Sequence, residues 1–575
     1  MDFRSEEVVN LYEDHNLTAP DDLENKLSKS YKNIKSCIAS TGEGTGSLNF
    51  NIEKLKTEAQ SNYEQTVFGL TYLIFRKKTT NLHHQKIWQT LSLINKDNFS
   101  CFVKVYLNIL GSVRFEKFSA KVNLFLCFKS LMATNTNGVN EVFFLVLRQL
   151  AGSNSSEENI SWLTWILTTI ELNQVWFSNL DLKLQSLALY TLLRFSLDLT
   201  VQVNLRKRLV TATVNILRGK FFDISMVIGR DLIRLLIEAT DTNIPDLVKL
   251  LNDIIQKPNE LDVRFQSIYQ ILAVPTPSDF FRSRLTPDME LKLMFILAQS
   301  KIFNYSKNFL WFQKQFLFQK EDEQLYSDLI RYILYCFHPS NSQLADKEAV
   351  PRYLLCWRFF NTMKHPPHKN LILNSLFFDW YFFEPRNENL MGLEPGILLI
   401  ERFLKDIPNV SNLLIQTLKY NFDRYSKYFD KTYLLDNLNK SMKILIDSGV
   451  IRSLNSIYNH RNLHQASKEC LFELFSQFLI DKNTLQFPQL NSPSKLEETS
   501  GKFQQRQKML SISDLVNNDS RENIYDFKFV ESTIKEIEDF KFSSSKINNK
   551  FEELFNLVNK NEDNHQNTML FAAFV

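Results

Sequence analysis

Glycine and proline are scarce in this chain, at 13 and 15 of 575 residues. Strands joined by tight hairpins draw on glycine for turns of positive φ, so this composition argues against a β architecture. An excess of one charge is lacking too: 67 Lys+Arg stand against 64 Asp+Glu, a net of +3. A field that weak gathers no phosphate backbone, and bulk charge announces no nucleic-acid partner. The six cysteines, at 37, 101, 127, 336, 356 and 470, form no CxxC pair and no dense framework, which fits free thiols in a reducing compartment. No run approaches the roughly 18 apolar residues of a membrane span, and even LFFDWYFF at 376–383 is broken by Asp379. The N-terminus, MDFRSEEVVNLYEDHN, has neither the basic nor the apolar region of a signal peptide. Catalytic signatures are missing as well. GEGTGS at 42–47 fails GxGxxG at its last position, no loop ends in GK[ST], and neither G-x-S-x-G nor H-E-x-x-H occurs. No enzyme, cofactor or metal is expected.

What is plentiful is phenylalanine, 48 residues, in a chain that is 44% hydrophobic. The apolar residues recur at helical spacing. Thr286 is placed to cap, Pro287 suits the first helical position, and Asp288 sits at the positive end of the helix dipole. Behind that cap Met289, Leu293, Ile296 and Leu297 make a single stripe. Leu325, Leu329, Ile330, Ile333 and Phe337 repeat it until His338-Pro339 ends the helix, and further helices are predicted to open at Pro351 and Glu394-Pro395. Upstream the same stripe starts at Tyr63 and predicts helices over 98–111, 115–133, 139–151, 158–172, 181–198, 202–218, 225–239, 244–256 and 261–273. Downstream it predicts 408–427, 430–447 and 462–480.

Short polar connections force neighbouring helices antiparallel, and no consensus repeats at a fixed period. The expected fold is therefore all-α, an irregular HEAT-like α-solenoid of antiparallel helix pairs. It is divided into a flexible leader (1–55), the solenoid (56–482), a disordered linker rich in Asn, Gln, Ser and Pro (483–523) and a marginal helical tail (524–575) with Phe551, Leu554, Phe555 and Val558 on one face.

His460 and His464 stand four apart but lack an acid between them and a third ligand nearby, and His365-Pro-Pro-His368 reads as a turn. Trp162, Trp165 and Trp176 read as core. The residues singled out for partner binding are Arg282, Arg284, Arg331, Arg352, Trp357 and Arg358, because arginine and tryptophan anchor protein interfaces. The competing account is pairing inside a helix: Asp328 and Arg331 are spaced i, i+3, as are Asp231 and Arg234.

Several blocks also resemble a known family. RLTPDMELKL at 284–293, WFQKQ at 311–315, DLIRYI…HPSN at 328–341 and FDWYFFEPRNENLMGLEPGIL at 378–398 are similar to segments of the third subunit of the Integrator complex, which also serves in the sensor-of-single-stranded-DNA (SOSS) complex. A looser resemblance runs from about Tyr63 to about Phe478 and includes IGRDLIRLL at 228–236. The resemblance implies a nuclear, non-catalytic scaffold, with the cytosol as the other soluble compartment. It implies as partners an OB-fold single-stranded-DNA-binding protein and a small third SOSS subunit in the DNA damage response and repair. It also implies other Integrator subunits in small nuclear RNA 3' processing and transcription termination, with nucleic acid reached mainly through partners and no membrane involved. Members of that family continue into a second helical domain, whereas this chain stops at NTMLFAAFV. Two other readings stay open: a HEAT-type transport or trafficking adaptor, and a solenoid that binds nucleic acid directly.

Overall fold

The computed structural model describes residues 22–479 apart from short stretches at 41–47, 76–80, 112–117, 154–155, 199–200, 318–319, 341, 344–345, 347 and 364–365. The expected linker and tail, and the GEGTG segment, lie outside the described residues. What is described is an all-α solenoid: helices follow one another from Asp22 to Phe475, joined by short turns and 3₁₀ segments. Among the described residues the named strands are one small antiparallel pair, Ile38–Ser40 against Leu48–Phe50, with Ile38 opposite Phe50.

Two continuous hydrophobic cores run through the array. The first gathers residues from Leu27 to Leu209, the second from Leu187 to Phe475. They meet on the helix Leu182–Leu197, where Ala188 and Leu192 face the first core and Leu189 and Leu193 the second. Each residue from Leu184 to Leu197 is buried, so this helix is the pillar of the molecule. Its small hydroxyls close on their own helix, Ser186 donating to the Leu182 carbonyl and Thr191 to that of Leu187. Trp162 is fully buried in the first core, with Trp165 and Trp176 packed against it.

Local chemistry sets the helix ends as the sequence suggests. The Thr286 hydroxyl accepts from the Met289 N–H at the start of Pro287–Ala298, and Pro351 precedes Arg352–Thr362. Three expectations need correction. The leader is not flexible through residue 55, because Asp22–Ile34 forms a helix that buries Leu27 and Ile34 against the helix Tyr63–Phe75. The helix expected over 225–239 is two: Phe221–Ile228 ends at Gly229, whose φ of 76° stops it, and Asp231–Asp241 begins anew. A Cβ at Gly229 would stand 2.5 Å from the Val274 carbonyl oxygen, so glycine alone allows this close approach. That same carbonyl accepts from the Arg230 N–H at 2.9 Å, while Thr276 accepts from the Asp231 N–H. The third correction concerns 261–273, which contains the end of one short helix, Pro258–Leu261, and another at Tyr269–Leu272 instead of a single long one.

Candidate partner interface

The arginines proposed from sequence as partner contacts fall into two groups. Arg284, Arg331 and Arg352 are not surface residues: their exposures are 1%, 1% and 5%, and their guanidinium groups are engaged inside the chain. This corrects their assignment to a partner surface. Arg282, Trp357 and Arg358 remain partly exposed. Arg282 lies 3.4 Å from Glu290, Trp357 packs edge-on to Phe403, and Arg358 donates to the Ser306 hydroxyl with its guanidinium over the Tyr305 ring. The structure brings Trp357 and Arg358 together on one helix and leaves Arg282 elsewhere.

The buried arginines belong to a network that crosses the second core. Asp328, on the helix Tyr326–Tyr335, accepts from Arg194 Nε at 3.0 and 3.2 Å and from Arg284 Nε at 3.1 Å. Both arginines also reach Asp198, Arg194 at 3.6 Å and Arg284 at 3.3 Å, and Arg284 lies over the Phe195 ring. Asp231 accepts both arms of Arg234, at 2.6 and 2.9 Å, and the Tyr190 hydroxyl at 2.7 Å. Arg234 pairs in addition with Glu238. Arg331 bridges Asp231, at 3.0 Å, to Asp379, its guanidinium lying over the rings of Phe281 and Tyr335. Arg230, 0% exposed, continues from Asp379 to Glu388 at 2.5 Å. Pairing within a helix thus explains Asp231 with Arg234, as the spacing suggests, whereas Asp328 and Arg331 each look outward to other helices.

Burial would by itself drive these carboxyls toward the neutral form. For Asp328 and Asp379 it is outweighed by two arginines apiece, and for Asp231 by Arg234 and Arg331, so all three are held below the usual carboxylate range. Glu238 and Glu388 go the other way, because burial outweighs their arginines. Charges so enclosed can hold helices in register, although Asp198 Oδ1, Arg230 Nη1 and Arg284 Nη1 make no hydrogen bond. Among the described residues no group of three or more His, Cys, Asp or Glu is arranged to hold a metal. His464 stands just before the helix Gln465–Phe475 and donates its backbone N–H to Asn412, and His460 accepts from the Asn462 N–H through Nδ1.

The network ends at a surface loop. Residues 384–391 are fixed from beneath at two points: Glu388 meets Arg230 and accepts from the Glu384 N–H, while Arg352 donates to the Met391 carbonyl at 2.8 Å and to Glu394 at 2.8 Å. Arg352 also donates to the carbonyls that end the helix Tyr326–Tyr335, among them Ile333 and Leu334. Above these anchors Pro385, Arg386, Asn387 and Asn389 are exposed and, with Ile444, line an open concavity of about 420 Å³. Sequence reasoning missed both this loop and the network members Arg194, Asp198, Arg230 and Asp379. Apart from the i, i+4 pair of Arg194 with Asp198, their partners lie far away in the chain, 134 residues in the case of Arg194 and Asp328.

Comparison with known proteins identifies the architecture. Residues 61–473 match the family model described as Integrator complex subunit 3 N-terminal. The chain belongs to the Integrator complex subunit 3 family. Integrator complex subunit 3 of Mus musculus is 27% identical over 471 residues, covering 80% of this chain and 44% of the mouse protein. The Integrator complex subunit 3 homologs of Drosophila mojavensis and Anopheles gambiae are each 27% identical, over 80% and 82% of this chain and 42% of their own length. This chain therefore spans less than half the length of the family relatives it matches. The matched stretch of this chain, 61–473, contains its charge network and its 384–391 loop. No helix among the described residues is long and apolar enough to cross a membrane.

Proposed function

We propose that this chain is a non-catalytic scaffold subunit of a nuclear Integrator-type assembly, a rigid helical array that holds other subunits in fixed relation. The observation that carries this reading is the match of residues 61–473 to the N-terminal region of Integrator complex subunit 3, joined to a core whose charges are spent on locking helices together. A buried ion network adds little net stability over apolar packing, but it penalises every arrangement that leaves a charge unpaired. A surface held to one geometry binds with a smaller ordering cost, and that is what a platform for partners requires.

In the finer reading the solenoid holds an OB-fold single-stranded-DNA-binding protein and a small third subunit, as in SOSS, for DNA repair, and joins other Integrator subunits in small nuclear RNA 3' processing and termination. Nucleic acid is then reached through partners, in keeping with a net charge of only +3. Arg282, Trp357, Arg358 and the 384–391 loop are the contact positions we assign on this chain, because they are exposed or partly so and rigidly mounted. The test is to isolate the tagged chain at moderate salt and identify what accompanies it. Recovery of an OB-fold single-strand binder or of RNA-cleaving subunits supports the reading; recovery of coat or cargo proteins in their place would sink it in favour of a trafficking adaptor.

A further inference from the structure

The loop 384–391 mounts a free cation on a fixed backbone. It begins with a β-turn, in which the Asn387 N–H donates to the Glu384 carbonyl at 3.0 Å and Pro385 holds the second position at a fixed φ. Glu388 turns back to accept the Glu384 N–H at 2.8 Å while it pairs with the buried Arg230, and Asn389 Oδ1 accepts the Met391 N–H at 3.0 Å.

Arg386 occupies the third position of that turn and is exposed. Among the described residues its guanidinium has neither a hydrogen bond nor an ion pair. The acids of the loop are engaged elsewhere: Glu388 with Arg230 at 2.5 Å, and Glu384 with Lys440 at 3.9 Å and with the Arg386 backbone N–H at 3.5 Å. Across the concavity, on the helix Lys431–Asp447, Lys443 holds Asp447 at 2.7 Å. Asp436 of that helix lies about 12 Å along its axis from Ile444, the residue that lines the concavity. Arg386 is thus the one lining group whose charge is unmatched.

The same concavity offers further donors and apolar surface. The Asn387 amide is uncommitted among the described residues, and Asn389, whose oxygen is taken, keeps its NH₂ group. Pro385, Leu390 and Ile444 complete the lining, and the volume of about 420 Å³ is that of a ligand site.

We propose that this concavity receives an extended acidic segment of a partner protein. One side-chain carboxylate sits on the Arg386 fork, neighbouring peptide groups meet Asn387 and Asn389, and an adjacent apolar side chain covers Leu390 and Ile444. A guanidinium matches a carboxylate both in charge and in its two parallel N–H groups. Phosphate fits less well, because sites for it gather several cations or a helix N-terminus, and a single unmatched arginine stands here. The turn is set before binding, so little ordering cost opposes a short ligand. The proposal rests on the partner-holding reading above and names the chemistry that this one contact position takes.

The probe is a fluorescein-labelled peptide of about ten residues, Leu-Asp-Leu at its centre and serine and glycine around it, titrated by anisotropy into the full chain. The expected result is saturable binding that weakens several-fold between about 50 and 300 mM salt and at least about ten-fold in Arg386→Ala. Arg386→Lys, which keeps the charge and loses the fork, should weaken it several-fold. A peptide with asparagine in place of its aspartate should lose as much as Arg386→Ala does, and Arg208→Ala, on another helix, should change nothing. Thermal unfolding that coincides for all these chains shows that the fold is intact. No saturable binding, indifference to Arg386→Ala or to loss of the carboxylate, full binding by Arg386→Lys, or tighter binding of a phosphoserine peptide or of oligothymidine would overturn the proposal. Copurification of subunits is scored separately. A flat peptide titration beside normal copurification overturns this site alone, whereas loss of the subunits from the unaltered chain overturns the wider reading and leaves a positive titration standing.

Discussion

Between Leu27 and Leu147 the buried polar side chains among the described residues are neutral, such as Thr71, His84 and Asn123, while between Arg148 and Asp379 the core buries arginines, aspartates and glutamates in quantity. In the first region hydroxyls close on their own helix, Thr66 on Asn62, Thr71 on Val67 and Thr90 on Lys86. In the second the partners are distant: 44 residues for Arg284 and Asp328, 48 for Arg331 and Asp379, 158 for Arg230 and Glu388. Both regions are helix pairs with apolar seams, so the difference lies in what fixes the relative position of the pairs. Apolar seams tolerate sliding and repacking; ion pairs between non-neighbouring helices do not. The first region should therefore respond to damage pair by pair, and the second as one unit.

The largest effect that would test this contrast comes from Asp328→Ala. It leaves Arg194 and Arg284 in the interior with Asp198 as the one carboxylate they still share, and a cost of about 3–5 kcal/mol in urea unfolding is expected. Leu70→Ala, a cavity in the neutral region, should cost about 3 kcal/mol, with losses of exchange protection confined to neighbouring helices. If Asp328→Ala proves the milder of the two, the contrast fails.

Acid should separate the regions as well. Burial holds the His84 imidazole down to about 4, beside the buried Cys127 thiol. Between its ordinary value of 6.5 and that point the unfolded chain takes up a proton that the folded chain refuses, so stability falls as pH drops through this window. The loss should reach roughly 3 kcal/mol at the low end, and His84→Leu should flatten it. The aspartates act later. Asp231, Asp328 and Asp379 sit below their ordinary 3.8, so their contribution is complete above that value and disappears as pH falls beneath it. Glu238 and Glu388, raised above their ordinary 4.5, oppose the trend, since their contribution is lost as pH rises through that value. Thermal unfolding followed from pH 7 to 3 should show an early slope that His84→Leu removes and a later one that it does not.

The smallest effect belongs to the surface. Arg208 meets Glu171 at 2.5 Å with both side chains well exposed, and Arg208→Ala should change stability by no more than about 1 kcal/mol.

Where local chemistry decides, the structure was legible in the sequence. Thr286 with Pro287 starts its helix, the Asp231 and Arg234 spacing makes its ion pair, and Trp162, Trp165 and Trp176 pack in or against the first core. Legibility ends where a distant group decides. Gly229 looks like a tolerable glycine within one helix until Val274 is brought beside it. Arg284 and Arg331 look like surface cations because their carboxylates lie on other helices. The leader reads as flexible because the helix Tyr63–Phe75, on which Asp22–Ile34 packs, lies beyond it in the chain. The 384–391 loop gave no signal as an anchored element, since its anchors, Arg230 and Arg352, come from separate parts of the chain.

Native-state hydrogen exchange on the unaltered chain and on Asp328→Asn is the most direct test of the claim that long-range charge pairs lock the middle of the solenoid into one body. Protection should fall together in Leu182–Leu197, Asp231–Asp241 and Tyr326–Tyr335 and stay unchanged in Tyr63–Phe75. A loss confined to the helix that carries Asp328, or one spread equally over both regions, would contradict it.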